Sequence, residues 1–97
     1  MASLKCVIVT AKLWVRDGRF EAFAAFEEKA FVIMARHGAK VLRVDQNHGA
    51  SDGSAHEVHV LEFPDTDSFD AYRSDPELVA LADQREACIA KTEVAFT

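Results

Sequence analysis

Apolar residues in the first half of the chain follow two patterns, that of a β-strand and that of an α-helix. Residues 5–14, KCVIVTAKLW, are rich in β-branched side chains and predict a first strand. Apolar residues at helical spacing then predict a long helix over residues 16–40. We expect Asp17 to cap its start and Gly38 to close its end, where glycine accepts a left-handed conformation. Residues 40–46, KVLRVDQ, predict a second strand.

The second half contains a strand, two helical stretches and a final strand. The predicted elements are a polar loop over 47–55, a strand over 56–63, a short helix over 68–74, a helix over 77–90 and a strand over 91–97. Asp65, Thr66 or Asp67 can cap the short helix. Ser74 or Asp75 can cap the next helix, with Pro76 in its first turn.

This order of elements, β-α-β-β-α-β, predicts an α+β fold of the ferredoxin-like class. Its four-stranded antiparallel sheet carries the helices on one face. The other face of the first strand is also apolar, because Ile8 and Trp14 alternate with the row that contains Val9 and Leu13. A second copy of the chain is the simplest cover for that face. The sequence therefore predicts a homodimer.

Composition narrows the range of partners. The 97 residues fit a single domain over 1–97, and the net charge of −5 comes with no basic run. Nucleic acid and anionic membrane surfaces are therefore not expected as partners. The N-terminal apolar run is too short to span a membrane, so a cytoplasmic location is expected. Cys6 and Cys88 have apolar neighbours and are expected to be reduced core thiols.

One basic residue is out of place on the helix over 77–90. Arg85 falls on the same face as Leu78, Leu81 and Cys88. Glu27 occupies a similar position on the apolar face of the first helix. The two side chains are therefore predicted to face each other. They would form either a structural ion pair or the polar anchors of a pocket, in which Arg85 grips a ligand carboxylate.

His37 and Tyr72 are the other candidate ligand-binding residues. His37 ends the first helix, where a cap role competes with a role as a proton donor or base. Tyr72 can reach a ligand with its phenol or pack as a half-buried side chain. Arg43, in mid-strand, is explained most simply as a charge on an edge strand.

The remaining histidines do not predict a metal site. His56 and His59 are separated by an odd number of positions and would point to opposite faces of a strand. His48 belongs to the polar loop. We therefore expect no metal and no cofactor, and we expect His59 on the sheet face away from the helices.

Two segments resemble the bacterial family called domain of unknown function 1330. They are FEEKAFVIMARHGAKVLRV and EVHVLEFPDTDSFDAYRSDPELVALADQRE. The most specific parts are His-Gly at 37–38, Glu-Phe-Pro at 62–64 and the segment from Tyr72 to Pro76 that leads to Arg85. The resemblance implies a ferredoxin-like protomer that pairs into a dimeric α/β barrel. It implies no reaction, since that superfamily includes cofactor-free monooxygenases, haem-degrading enzymes, muconolactone isomerase-like enzymes and ligand binders.

Two functions follow as hypotheses. The first is a cytoplasmic homodimer that binds a small acidic or aromatic ligand in a cleft between helices and sheet, with a cofactor-free monooxygenase-like or isomerase-like enzyme as its catalytic variant. The second is a non-enzymatic interaction protein whose charged residues are structural. Haem handling is less favoured, because the histidines offer no axial-ligand context.

Overall fold

The computed structural model describes residues 6–96 and shows a four-stranded antiparallel sheet with helices against one face. Its elements are β1 (Val7–Val15), α1 (Phe20–Arg36), β2 (Lys40–Gln46), β3 (Glu57–Phe63), α2 (Thr66–Arg73), α3 (Pro76–Val79), α4 (Ala82–Cys88) and β4 (Ile89–Phe96). The strand order is β2-β3-β1-β4. This order confirms the predicted ferredoxin-like α+β fold. None of the helices described is long and apolar enough to cross a membrane.

The predicted helix over 77–90 is wrong in two places. It is broken into α3 and α4, because Leu81 donates its N–H to the carbonyl of Leu78 at 2.9 Å and so tightens the turn. It also ends early, since Ile89 has extended backbone (φ −110°, ψ 120°) and pairs with Val15 in the sheet. The β-branched side chain of Ile89 suits that conformation.

Side-chain caps define the starts of α2 and α3 but not the start of α1. Asp17 does not cap α1, whose first turn follows Arg19 without a side-chain cap. Asp65 accepts a hydrogen bond from the N–H of Ser68 at 2.7 Å, and Asp75 accepts one from Glu77 at 2.9 Å. Gly38 has φ +80°, as expected for the residue that closes α1. The first strand is predicted to start at Lys5 and the last strand is predicted to end at Thr97. Both positions lie outside the described residues.

One face of the sheet and the helices enclose the core. The row of Val9, Leu13 and Val15 on β1 faces α1 and is buried, together with Leu61 and Phe63 on β3. Cross-strand pairs share a face. Because His59 pairs with Ala11, it belongs to this same row, and its prediction on the opposite face was wrong. Cys88 is buried in the core, whereas Cys6 is exposed, contrary to expectation.

The opposite face of the sheet carries no helix. Ile8, Trp14, Val58 and Val60 are only half-buried there. Arg43 pairs with Val60 and lies on this face, just after an irregularity in the register of β2. The edge strands of the sheet are β2 and β4.

Candidate functional site

A cavity of about 620 Å³ lies between the helices and the sheet. Such a volume is within the range of small-molecule sites. Its apolar walls include Phe23, Phe26, Phe31, Met34, Leu61, Leu78 and Ile89. Its polar wall residues are Glu27, His59, Tyr72, Arg73, Arg85 and Thr92. Three of the four residues predicted for the site, Glu27, Tyr72 and Arg85, are thus brought together.

Arg85 points into the fold, but not at Glu27. Its Nη2 donates to Thr92 Oγ1 at 2.6 Å. Within residues 6–96, no carboxylate lies within salt-bridge distance of its guanidinium, so the predicted Glu27–Arg85 pair is wrong. A guanidinium has five donor hydrogens in a planar fork. Arg85 therefore presents a cation to the cavity without a protein anion to neutralise it.

Glu27 instead joins a cluster centred on His59. His59 Nε2 lies 2.8 Å from Glu27 Oε2 and 2.7 Å from Glu57 Oε1. The side chains of His59 and Glu57 are only 5% and 2% exposed. α1 supplies one carboxylate, and alternate residues of β3 supply the other two groups. The cavity thus has a carboxylate–imidazole cluster on one part of its wall and Arg85 on another.

Two further side chains fix the orientation of Glu57. Its Oε2 lies 2.6 Å from His48 Nε2 and accepts a hydrogen bond from Gln46 Nε2 at 3.2 Å. The ring of His48 stacks on Phe20 at the start of α1, with centroids 4.5 Å apart. The polar loop after β2 therefore helps to position a buried carboxylate.

Burial and mutual contacts shift the pKa values of Glu27, Glu57 and His59. Burial raises the pKa of Glu27 above its ordinary value, although the nearby imidazole opposes the rise. Burial by itself would raise the pKa of Glu57 as well, but hydrogen bonds from His59 and His48 outweigh it and hold that pKa low. Burial would lower the pKa of His59, yet the two carboxylates raise it. The pKa values of Glu27, Glu57 and His59 therefore depend on one another as well as on burial.

His37 is not part of the cavity wall. It follows the last turn of α1, and its Nε2 lies 2.7 Å from Asp75 Oδ2. The pKa of Asp75 is lowered, mainly by this contact with His37. The pair connects the end of α1 to the start of α3. This geometry supports the cap interpretation of His37 and gives no support to its candidacy as a ligand-binding residue.

Tyr72 packs on the core side of the cavity. Its ring lies 5.8 Å from that of Phe63, centroid to centroid. Burial raises the pKa of Tyr72 from 10.0 to about 12, against the opposing effect of the nearby Arg85 cation. The phenol is therefore available to a ligand as a neutral hydrogen-bonding group.

The chain has a single tyrosine, so its ionisation can be followed alone. We expect the phenolate absorbance of the native protein to rise with a midpoint near pH 12, and that of the urea-unfolded protein near the ordinary value of 10.0. Because the folded pKa is the higher one, this contribution to stability is complete below pH 10 and is lost as the pH rises towards 12. A native midpoint equal to the unfolded one would place Tyr72 in water.

Sequence reasoning missed His59 and Glu57. Both rows of β3 contain apolar residues, Val58 and Val60 on one and Leu61 and Phe63 on the other. Periodicity alone did not decide which row faced the helices. Phe63 is fully buried, and continuing its row backwards by twos reaches His59 and then Glu57.

The family model described as "Domain of unknown function (DUF1330)" matches residues 9–96, which include every strand and helix of the cavity except the first two positions of β1. The chain belongs to the DUF1330 family. The resemblance noted in the sequence is thereby confirmed. No curated protein matches this DUF1330 chain at a significant level.

Solved structures share the fold of this DUF1330 protein. A protein of unknown function from Rhodopseudomonas palustris is 19% identical, with a TM-score of 0.81 over 98% of this chain and 82% of its own. A protein of Bacteroides fragilis, described as dimeric and ferredoxin-like, is 16% identical, with a TM-score of 0.71 over 95% and 94%. SnoaB of Streptomyces nogalater, described as a cofactor-independent oxygenase, is also 16% identical, with a TM-score of 0.69 over 95% and 90%.

Proposed function

We propose that this DUF1330 protein binds a small, largely apolar organic acid in the cavity between helices and sheet. The observation that carries the proposal is the position of Arg85, a cation on an apolar cavity wall with Thr92 as its hydrogen-bond partner. A ligand carboxylate would pair with the free part of the guanidinium fork. Phe23, Phe31 and the neutral phenol of Tyr72 would contact the remainder of the ligand.

Binding, rather than a reaction, is what the geometry supports. Relatives of this fold include a protein described as an oxygenase. Identity of 16% carries the fold to this chain and no activity, because the same fold serves unrelated functions. The organic acid is therefore proposed as a ligand.

The experiment is a thermal-shift screen of small aromatic and aliphatic acids. A ligand that binds only the folded state raises the melting temperature by mass action, with about 2.7 kcal/mol of stabilisation at a hundredfold excess over Kd. We expect such acids to stabilise the wild type and the control Arg19→Met, whose exposed side chain lies outside the cavity wall. Arg85→Met keeps most of the side-chain volume and should lose the shift. Equal shifts in wild type and Arg85→Met, or none in either, would contradict the proposal.

We also propose that the protein is a homodimer joined through the sheet face that carries no helix. Half-buried Ile8, Trp14, Val58 and Val60 form a patch on that face that Thr10 and Lys12 interrupt. A second copy is a self-complementary cover for such a patch. One solved relative is described as dimeric, which supports a dimer.

Light scattering during gel filtration tests the dimer. One chain has a mass of 10.7 kDa, and we expect a particle of twice that mass for the wild type at micromolar concentration. Val60→Glu places a charge in the middle of the patch and should yield single chains. The control Val32→Glu changes an exposed residue of α1 and should leave the mass unchanged. A wild-type particle with the mass of one chain would refute the dimer.

A further inference from the structure

We propose that Glu27, Glu57 and His59 form a binding site for a divalent transition-metal ion. One oxygen of each carboxylate and Nε2 of the imidazole lie within 4.8 Å of one another. Two of the three separations are already 2.7 and 2.8 Å. Metal–ligand bonds of about 2.0–2.2 Å at a tetrahedral ion place neighbouring ligand atoms about 3.4 Å apart, so the two carboxylates would rotate outward by about half an ångström to bind one ion.

The hydrogen-bond geometry of the cluster gives two carboxylates one imidazole N–H to share. His59 Nε2 carries at most one hydrogen, and its hydrogen-bond axis points at Glu57 Oε1. Glu27 Oε2 lies 2.8 Å from the same nitrogen, away from that axis, and so competes with Glu57 for the one hydrogen. Two carboxylate oxygens and one imidazole nitrogen therefore meet at a single N–H hydrogen. A metal ion in the same place would bond to all three.

The charge balance also favours a cation. Across the described part of the chain, histidines are the only basic side chains within salt-bridge distance of Glu27 or Glu57. Arg85, on the same cavity wall, binds Thr92 instead. Two ionised carboxylates around a neutral imidazole create a negative potential, and burial weakens its screening by water. A divalent ion would neutralise it.

The surroundings of Glu57 match those of a metal ligand. Its second oxygen is held by His48 at 2.6 Å and by Gln46 at 3.2 Å. Such contacts orient ligating carboxylates in metal sites. The carboxylate is thus fixed with one oxygen directed to the cluster and the other directed to the loop after β2.

The donor set selects the kind of ion. One imidazole and two carboxylates suit Zn²⁺, Mn²⁺ or Fe²⁺, whereas Ca²⁺ takes six to eight oxygens. Three protein ligands leave at least one coordination position open, as in catalytic metal sites. Glu27 and His59 line the cavity, so the open position faces the cavity. The site is independent of ligand binding at Arg85.

Calorimetric titration of untagged, EDTA-treated protein with Zn²⁺ tests the site. We expect one Zn²⁺ per chain, and at least tenfold weaker binding for Glu27→Gln and for Glu57→Gln. The control is Asp75→Asn. Among the described residues, His37 has Asp75 as its one carboxylate within salt-bridge distance, at 2.7 Å, whereas His59 has two. The affinity of the control for Zn²⁺ should equal that of the wild type.

Paramagnetic NMR on the wild type gives a second readout that does not depend on variants folding. Substoichiometric Mn²⁺ should broaden the signals of Glu27, Glu57 and His59 before those of His37. Absence of Zn²⁺ binding at micromolar concentrations, binding unaffected by both Gln variants, or broadening first at His37 would each overturn the metal site. The cluster would then be a proton-sharing unit alone.

Discussion

Phe63→Ala is expected to lower the free energy of unfolding by about 3–5 kcal/mol, the usual cost of emptying a large aromatic site in a core. Phe63 is fully buried. Its ring meets that of Phe69 edge to face, with centroids 5.2 Å apart, and packs against Tyr72. Alanine would remove these contacts and leave a void beside the cavity. Urea unfolding followed by circular dichroism measures the change.

Val32→Ala is the control for this loss. Val32 lies on α1 and is 63% exposed, so its truncation should change stability by about 0.5 kcal/mol or less. Similar losses for the two variants would show that Phe63 is not a core residue.

His59→Leu is expected to cost about 3–5 kcal/mol in a buffer that contains EDTA. The substitution removes the imidazole that contacts both Glu27 and Glu57 and leaves the two carboxylates without their shared partner. Removing one partner from a buried ion pair lowers the free energy of unfolding by this amount, because the charge of the other partner remains buried and uncompensated. Urea unfolding at neutral pH provides the measurement.

Replacing the whole cluster should cost much less than replacing its centre. In the triple variant Glu27→Met, Glu57→Met and His59→Leu, no charge remains to be compensated, and apolar side chains of similar volume fill the space. Such replacements of buried ionic groups are often neutral or stabilising. We therefore expect the triple variant to be more stable than His59→Leu. The triple variant could instead lose as much stability as Glu27→Met, Glu57→Met and His59→Leu lose together. That result would show that packing, rather than charge, governs the cluster.

Periodicity was enough to predict the fold. The β-branched residues of β1 and the helical spacing in α1 are strong signals, and the second strand was predicted with its observed bounds, Lys40–Gln46. The region after Pro76 was harder, because Leu81 and Ile89 fit a continuous helical face equally well. The break after Val79 arises from hydrogen bonding in the turn, and the strand at Ile89 arises from pairing with β1. The apolar spacing reveals neither the tightened turn nor the pairing of Ile89 with β1.

The candidate site was predicted only in part. The inward direction of Arg85 followed from its helical face, since an amphipathic pattern fixes direction. Its partner did not follow, because the relative rotation of two helices depends on packing across the sheet. His59 was placed on the wrong face since a strand with two apolar rows does not reveal which one is buried. Side chains alternate along a strand, so choosing the wrong row of β3 as the buried one placed the imidazole of His59 on the face away from the cavity.

The pairing of the first strand with the last has a consequence for folding kinetics. Val9 lies opposite Phe96 and Leu13 opposite Thr92, so β1 reaches its full set of partners only after nearly the whole chain is in place. Contacts between residues so far apart in sequence carry a large loop-closure entropy and slow the folding of a domain. Thr92, which holds Arg85, belongs to that late strand. We therefore expect the wall of the cavity around Arg85 to form among the last parts of the molecule, after α1 has packed on β1 and β3.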